Sequence, residues 1–241
     1  MTNKFVTCIC FLVLCTHIHL QAQESFPSPY SKVQGNTVIS EFHTLDKSFS
    51  TEGIFLNALL WIIENRESEN TETEKDKGTF DIDYDKKQYM LEFIQTNTQS
   101  ASRYRCLFSV KVTDNIITIL ASNITYEAET NVIKLVKRLA FEKLQPEKKP
   151  KHKEYLNEFA ILHKETVKRM LEAITTNPAP TITHWTEIKN KEVVKGMSKQ
   201  ECLLAFGKPA SVQKQGNKEE WMYNSYTYVF FENNIVTSLI K

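Results

Sequence analysis

The stretch KGMSKQECLLAFGKPASVQKQGNKEEWMYNSYTYVFF, Lys195–Phe231, decides the fold of the C-terminal part of this chain. Ser198 and Glu201 have the spacing of a capping box, in which each side chain accepts a hydrogen bond from the other residue's backbone at a helix start. Gly207 can adopt the left-handed conformation that ends a helix, and Pro209 cannot continue one. The sequence therefore predicts a short helix with both of its ends defined.

Large aromatic residues alternate with other residues after a polar loop, as in strands with one buried face. The alternation runs through Trp221–Tyr223 and Tyr226–Phe231, and Asn233-Asn234 is a two-residue link of the kind that closes a hairpin. Together with Ile235–Ile240, these segments predict three antiparallel strands. We expect one face of that sheet to pack against the short helix.

These residues also resemble a known family. The matching positions are Gly196-Met197-Ser198, Gly207-Lys208-Pro209, Trp221-Met222-Tyr223 and Val229-Phe230-Phe231. They look like the SmpA/OmlA (BamE-like) module of bacterial cell-envelope proteins, and the resemblance covers roughly the last fifty residues. It implies a binding module rather than a catalytic one. The small assembly lipoprotein of that family lacks the long N-terminal region, so its role in outer-membrane assembly is not carried over.

Four aromatic residues of this region are candidates for contact with a partner protein: Trp185, Trp221, Tyr223 and Tyr228. Exposed aromatic side chains dominate many protein interfaces, because they bury a large area and keep a polar end. The alternative is that these rings simply fill the core of the module. Both interpretations stay open from the sequence.

The N-terminus has the pattern of a secretory signal peptide over residues 1–22, with an apolar run from Phe5 to Leu14 that is too short to cross a bilayer. We expect cleavage after Ala22 and an exported protein. A lipid anchor on Cys15 is the alternative, but the bulky Leu14 occupies a position where lipoprotein processing requires a small residue.

Export would leave two cysteines of the five, Cys106 and Cys202, which is too few for a disulfide framework in a chain of this length. We expect both to be free, buried thiols. The charge is balanced, with 30 basic and 29 acidic residues. Such a chain has no electrostatic reason to bind nucleic acid or an anionic membrane.

The region before the module alternates between helical and strand periodicity. We predict strands over Val38–Phe42, Thr79–Tyr84, Gln88–Gln95, Tyr104–Val112 and Ile116–Ile124, and helices over Ser50–Asn65, Asn131–Leu144 and Glu154–Ile174. Strands in meander order form an antiparallel sheet whose apolar face needs helices to cover it. The fold class is therefore α+β, with an antiparallel sheet and covering helices, followed by the small module.

This order of elements is similar to a DUF4468-type domain of exported Bacteroidetes proteins, which has a sheet like that of the TATA-binding protein. The residues that carry the resemblance are Trp61, the strand Thr79–Tyr84 after the charged run 66–78, and Arg103-Tyr104-Arg105. The resemblance implies a fold and transfers no functional site.

Composition sets the expected boundaries of the chain: signal peptide 1–22, extended leader 23–35, α+β domain 36–174, linker 175–183 and module 184–241. The linker reads TTNPAPTIT, which is small, polar and proline-bearing. A module of roughly 60 residues buries only about 60% of its unfolded surface. We therefore expect it to dock on the rest of the chain or on another protein.

No catalytic or metal-binding motif is present in the sequence. His163 lies on the apolar side of its predicted helix and could be a ligand or a base, but a structural histidine is the more common explanation. Asp81, Asp83 and Asp85 resemble part of a calcium loop without its glycine and its later glutamate. We expect no enzyme activity, no cofactor and no bound metal.

The sequence thus favours an exported, non-catalytic cell-envelope protein that binds or scaffolds another envelope protein, in the periplasm or at the periphery of the outer membrane. The alternative is a periplasmic carrier of a small ligand or lipid, which would need an apolar cavity between the sheet and its helices.

Overall fold

The computed structural model describes residues 30–33, 36–66, 80–99, 102–129, 136–145 and 148–241. These residues form two antiparallel sheets and four α-helices. The strands are β1 (Tyr30–Val33), β2 (Asn36–Thr44), β3 (Phe80–Asp83), β4 (Gln88–Asn97), β5 (Ser102–Thr113), β6 (Ile116–Glu129), β7 (Val136–Ala140), β8 (Ser211–Gln215), β9 (Lys218–Met222), β10 (Tyr228–Glu232) and β11 (Ile235–Ile240). The helices are α1 (Thr51–Asn65), α2 (Pro150–Thr176), α3 (Trp185–Lys189) and α4 (Lys199–Phe206), and a 3-10 helix covers Phe141–Lys143. The predicted α+β class is confirmed.

The large sheet has the strand order β1-β2-β6-β5-β4-β3, and β7 pairs with the C-terminal part of β6. Burial alternates strictly along β5, where Tyr104, Cys106 and Phe108 are buried and the residues between them are partly exposed. Because successive side chains of a strand point to opposite faces, one face of this sheet forms the core.

Helices α1 and α2 cover that buried face. The first begins at Ser50, whose hydroxyl accepts a hydrogen bond from the Gly53 amide at 3.0 Å and so satisfies a free donor of the first turn. Phe55 of α1 and Phe159 of α2 are fully buried, and the Phe159 ring lies 5.5 Å from the ring of Tyr104. Each such side chain contributes about 1.5–3 kcal/mol to stability, so these two helices hold the sheet.

The small sheet has the order β11-β10-β9-β8, and helix α4 packs on one of its faces. The predicted capping box is confirmed: the Ser198 hydroxyl accepts from the Glu201 amide at 3.2 Å, and the Glu201 carboxylate accepts from the Ser198 amide at 2.8 Å. Gly207 follows the helix with φ +80°, the left-handed region that favours glycine.

The small sheet has four strands where the sequence predicts three. Ser211–Gln215, which reads as part of a polar loop, forms β8 at the edge of the sheet. All five of its residues are exposed, so the segment has no apolar alternation from which a strand could be recognised.

The helix predicted over Asn131–Leu144 is wrong. Val136–Ala140 forms β7 and Phe141–Lys143 forms the 3-10 helix, while residues 130–135 lie outside the described part of the chain. β2 pairs with β6 only over Ile116–Ala121, which leaves the backbone groups of Thr125–Glu129 available on that edge. Pairing with β7 satisfies them, and this gain outweighs the local helical spacing of the apolar residues.

The predicted leader over residues 23–35 also needs correction, because Tyr30–Val33 forms β1 and pairs with β2. The other predicted helices and strands of the large domain occur within a few residues of their predicted bounds. The signal peptide over residues 1–22 and residues 67–78 of the charged run lie outside the described residues.

The small sheet and its helix dock on the large domain through direct contacts. The Tyr84 hydroxyl donates to the carbonyl of Leu204 at 3.1 Å. The Lys208 ammonium donates to the carbonyl of Glu64 at 2.8 Å, at the C-terminal end of α1, whose own last turn has no basic residue. A cation at this position is favourable, because the C-terminal end of a helix carries a partial negative charge. These contacts agree with the expectation that the module docks on the rest of the chain.

The segment between α2 and α3, where the sequence predicts a linker, is also held in place. The Asn57 side chain donates to the carbonyl of Asn177 at 3.0 Å. Gly53 lets the segment pass close to α1, because a Cβ at this position would lie 2.8 Å from the Cβ of Ala179.

Candidate partner-binding surface

Trp221, a predicted partner-binding residue on β9, lies on the inner face of the small sheet. It is 6% exposed, and its ring lies 4.5 Å from that of Phe231. Its indole N–H donates to the Glu219 carboxylate at 3.2 Å. The ring is therefore part of the core between the sheet and α4.

Tyr223 points to the same side. Its hydroxyl donates to the carbonyl of Gly207 at 3.1 Å and lies 3.5 Å from the Cys202 sulfur. Its ring packs edge-on against Phe206, with centroids 5.3 Å apart. Burial raises the pKa of Tyr223 well above its usual value, so this hydroxyl stays protonated and fixes the end of α4.

Tyr228 lies on the opposite face. On β10 it is flanked by Met222 of β9 and Ile240 of β11. Phe230, two residues further along β10, shares this face, because Val229 and Phe231 between and beyond them are fully buried on the inner side. We call Met222, Tyr228, Phe230 and Ile240 the outer aromatic face. Ile240 is 54% exposed, and Met222, Tyr228 and Phe230 are partly exposed.

The loop that joins β9 to β10 carries a further, exposed aromatic side chain. Tyr226 is 79% exposed, yet its backbone is held: the Asn224 side-chain oxygen accepts from the amides of Tyr226 and Thr227 at 2.9 and 2.8 Å. The Tyr223 amide donates to the Thr227 carbonyl at 3.0 Å. The sequence suggests a strand at Tyr226, and the signal that would have found the loop is Asn224, since asparagine side chains commonly cap their own turn.

The two faces of the small sheet differ in how their carboxylates are paired. On the inner face, the Glu219 carboxylate lies 2.6 Å from the Lys199 ammonium and 3.2 Å from that of Lys214, and the hydrogen bond from Lys199 lowers the pKa of Glu219. On the outer face, Glu220 and Glu232 lie beside Phe230 and form no salt bridge within the described chain. Lys218 lies opposite Glu232 on the same face, so the border of the outer aromatic face carries charges of both signs.

Trp185, the remaining predicted residue, lies at the junction rather than on the small sheet. It begins α3, and its half-buried ring meets Tyr84 of the large domain edge-on with centroids 5.7 Å apart. Lys189 of the same helix pairs with Asp85 at 2.8 Å. The structure thus separates the four candidates into two inner rings, one junction ring and Tyr228 on the outer face.

A buried carboxylate anchors the module to the preceding segment. One oxygen of Glu201 accepts from the Thr183 amide at 2.7 Å and from the His184 amide at 3.0 Å, while the other accepts from Ser198. Burial alone would raise the pKa of Glu201, but these bonds and those from the two side chains outweigh it and lower the pKa to about 2. Glu201 therefore stays ionised and structural.

The other titratable residues singled out from the sequence, His163, Cys106 and Cys202, are buried in the core. His163 is 1% exposed, and burial lowers its pKa to about 4 although the Glu41 carboxylate lies 3.4 Å from Nε2. Cys106 and Cys202 are free and buried, and burial raises the pKa of their thiols to about 12 and about 11. Among the described residues no group of three acidic, histidine or cysteine side chains could hold a metal ion.

Two of the three aspartates of β3 and the following turn pair with lysines. Asp83 accepts from the backbone and the ammonium of Lys86, both at 2.9 Å, and Asp85 pairs with Lys189. Asp81 points outward from the exposed face of the strand, as expected from alternation.

No protein-family model matches the chain, and none of the curated proteins matches it. Two solved structures are similar to it. One is a TBP-like protein from Parabacteroides distasonis ATCC 8503, with 14% identity and a TM-score of 0.49, covering 61% of this chain and 97% of that chain. The other is a DUF4468 family protein from Bacteroides ovatus ATCC 8483, with 10% identity and a TM-score of 0.46, covering 64% and 95%.

The described helices include none that is both long and apolar enough to span a membrane.

Proposed function

We propose that this chain is an exported, non-catalytic component of a bacterial cell envelope that binds another protein through the outer aromatic face of its small sheet. The observation that carries the proposal is the grouping of Met222, Tyr228, Phe230 and Ile240, all at least partly exposed, on the face opposite α4, together with the exposed Tyr226 in the loop between β9 and β10. Apolar side chains gathered on one face and rimmed by charge are typical of protein-binding sites.

Two further features support a binding role. The inner face of the small sheet packs on α4, and α4 contacts the large domain, so the outer face is presented on a rigid support. The proposed export rests on residues 1–22, and the proposed module type rests on the resemblance to SmpA/OmlA (BamE-like) proteins. A location in the periplasm or beside the outer membrane follows from these two expectations.

Binding is favoured over the carriage of a ligand by the packing of the large domain. A carrier would need an apolar cavity between the sheet and its helices. Rings from both layers contact each other there: Phe108 of β5 lies 5.8 Å from His163 of α2, and Phe55 of α1 lies 6.1 Å from Tyr89 of β4.

Position-specific crosslinking tests the proposal. A photo-reactive amino acid is placed at Tyr226 in the tagged full chain, and a matched control carries it at Ile161, a 65% exposed apolar residue on the solvent side of α2. We expect the Tyr226 position to capture a defined envelope protein, and the Ile161 position to miss it. The double variant Tyr228→Ser, Phe230→Ser should lose the capture while remaining folded.

A capture that occurs equally from both positions, or that survives the double variant, would refute binding through this face. Absence of any crosslinked protein at Tyr226 in intact cells would refute it as well.

A further inference from the structure

A polar cluster lies between β2 and α2, on the otherwise apolar face of the large sheet. Nε2 of His163 lies 3.4 Å from one oxygen of the Glu41 carboxylate, and Nε2 of His43 lies 3.0 Å from the other oxygen. The His163 side chain is 1% exposed, whereas those of Glu41 and His43 are 21% and 32% exposed. The carboxylate therefore connects a buried histidine to one that water reaches. We call these three residues the histidine cluster.

The surroundings of His163 favour a neutral ring. The ring lies between two phenylalanines, with centroid distances of 5.8 Å to Phe159 and 5.8 Å to Phe108. Neither of its nitrogens makes a hydrogen bond to the described residues. Because Glu41 faces Nε2, we place the proton of the neutral ring there. A second proton would go to Nδ1, where the described residues offer no acceptor, and a buried cation without a partner is costly.

Among the described residues, Glu41 is the charged group that faces His163. β6 lies between β2 and β5, and its inward residues beside Glu41 and Phe108 are apolar: Ile119 and Ala121. The buried residues of α1 carry no ionisable side chain. On α2 itself, the residues that follow His163 are exposed: Lys164 and Glu165.

The titratable groups on the buried faces of β4 and β5 add no charge. Burial raises the pKa of each of them, so that they stay neutral: Tyr89, Tyr104 and Cys106. The Glu158 carboxylate of α2 accepts hydrogen bonds from Tyr104 and from Asn97. A proton gained by His163 therefore has one carboxylate, that of Glu41, to offset it.

The N-terminal half of α2 depends on this packing, because its own start is poorly stabilised. Lys149 at the N-cap makes no side-chain hydrogen bond, and the first turn has no acidic residue. Lys151 instead adds positive charge close to the end of the helix that is already partly positive. This half of the helix buries three side chains: Leu156, Phe159 and His163. A disturbance at His163 should therefore open this half before the rest of the fold.

We infer that the histidine cluster is a proton-linked contact, which loosens the N-terminal half of α2 from β2 when the surroundings become mildly acidic. The His163 cation either keeps Nδ1 without an acceptor or moves with the helix until water reaches it. Glu41 offsets part of this cost, but it also contacts His43, and a protonated His43 draws on the same negative charge. The inference goes beyond the proposed function, because it concerns the large domain and not the partner-binding face.

The size of the effect follows from the linkage between proton binding and opening. The pKa of His163 is about 4 in the packed helix, against 6.5 for a free histidine. Because the packed form has the lower pKa, the open form binds the proton more readily below pH 6.5. The ratio of open to packed helix should rise about twentyfold between pH 7 and pH 5.

Hydrogen exchange of the backbone amides, corrected for the intrinsic pH dependence of exchange, measures this opening in the full chain. We expect the protection of residues 156–163 to fall about twentyfold between pH 7 and pH 5, and the amides of α4 to keep theirs. His163→Phe should remove the change. His152→Gln, which replaces a histidine in the first turn of the same helix, is the matched control and should keep it.

Two variants separate the role of charge from a loss of packing. Glu41→Gln removes the carboxylate that offsets the cation, so it should lower the pKa of His163 and enlarge the acid effect. His43→Gln leaves that carboxylate to His163 alone, so it should raise the pKa and reduce the effect. The ring signals of His163 in NMR titrations check the same order of pKa values, and a purely structural role would not move the two variants in opposite directions.

An acid effect that persists in His163→Phe, or one that changes in the same direction in Glu41→Gln and His43→Gln, would overturn the inference. An equal loss of protection in α2 and α4 would do so as well, because it would indicate unfolding of the whole chain. If Glu41→Gln does not fold, His43→Gln and His152→Gln decide between the outcomes: a reduced effect in the first alone supports the inference, and equal effects contradict it.

Discussion

Replacing Glu201 by glutamine should destabilise the protein by about 3 kcal/mol at neutral pH. The pKa of this buried carboxyl is about 2 in the folded chain, against 4.5 for an ordinary glutamate, and each pKa unit is worth about 1.4 kcal/mol. Glutamine keeps the shape of the side chain but replaces one accepting oxygen with an amino group. That group would face the amide of Ser198 on one side or those of Thr183 and His184 on the other.

The pH dependence shows whether Glu201 stabilises the folded chain through the charge or through the shape of its side chain. Because the folded-state pKa is depressed, the stabilisation by Glu201 is complete above pH 4.5 and is lost as the pH falls through about 2. Urea unfolding followed by circular dichroism measures the free energy of unfolding at pH 7 and at pH 3. We expect the difference between the native chain and Glu201→Gln to shrink from about 3 to about 1 kcal/mol between these two values.

Glu220→Gln is the matched control, because this carboxylate lies on the same module without a salt bridge in the described chain; it should change the free energy of unfolding by less than about 0.5 kcal/mol. A loss below that size for Glu201→Gln, or a loss that is the same at pH 3 as at pH 7, would refute the assignment of Glu201 as an ionised anchor.

Four further predictions concern the packing of the two sheets. His163 has a pKa of about 4 in the folded chain, against 6.5 when free, so the unfolded chain binds more protons between these values and stability should fall as the pH drops from 6.5 towards 4. In His163→Phe this loss should disappear from urea titrations over that range, and an unchanged profile would exclude His163 as its cause. Gly53→Ala should cost about 1–3 kcal/mol, measured as a lowered urea midpoint, because its Cβ would meet Ala179 at 2.8 Å. Trp221→Ala should cost about 3–5 kcal/mol as a core residue; a loss under about 1 kcal/mol would instead place the ring at the surface. Lys208→Met keeps the aliphatic stem and removes the charge at the end of α1, so it should cost about 0.3–1 kcal/mol at low salt, and a cost that is equally large in 0.5 M salt would contradict the electrostatic explanation.

Local signals in the sequence predicted much of the fold. The capping box of Ser198 and Glu201 is a contact between residues three apart, so its presence can be read directly from the spacing. The alternation along β5 is similarly local. β7 could not be predicted in this way, because it forms only where the C-terminal part of β6 offers an unpaired edge, and that edge is a property of the assembled sheet.

The candidate site was predictable only in part, for a geometric reason. Trp221 on β9 and Tyr223 just after this strand have the same parity, and so do Tyr228 and Phe230 on β10. Alternation therefore predicts that each pair shares a face, but both faces of the small sheet carry aromatic rings. Which face receives α4 depends on tertiary packing, and this decides that Tyr228 is outside while Trp221 is inside.

The contacts of Lys208 with the end of α1 and of Tyr84 with Leu204 have a mechanical consequence. Through α4 and Lys208, they attach the small sheet to the large domain at two separate points. The hydrogen bonds of Asn177 and Glu201 also hold the chain segment that connects the two parts. A pull on the small sheet would therefore be transmitted into α1 as strain instead of swinging the sheet about a hinge. A partner bound to the outer aromatic face would therefore keep a fixed distance and orientation relative to the large domain.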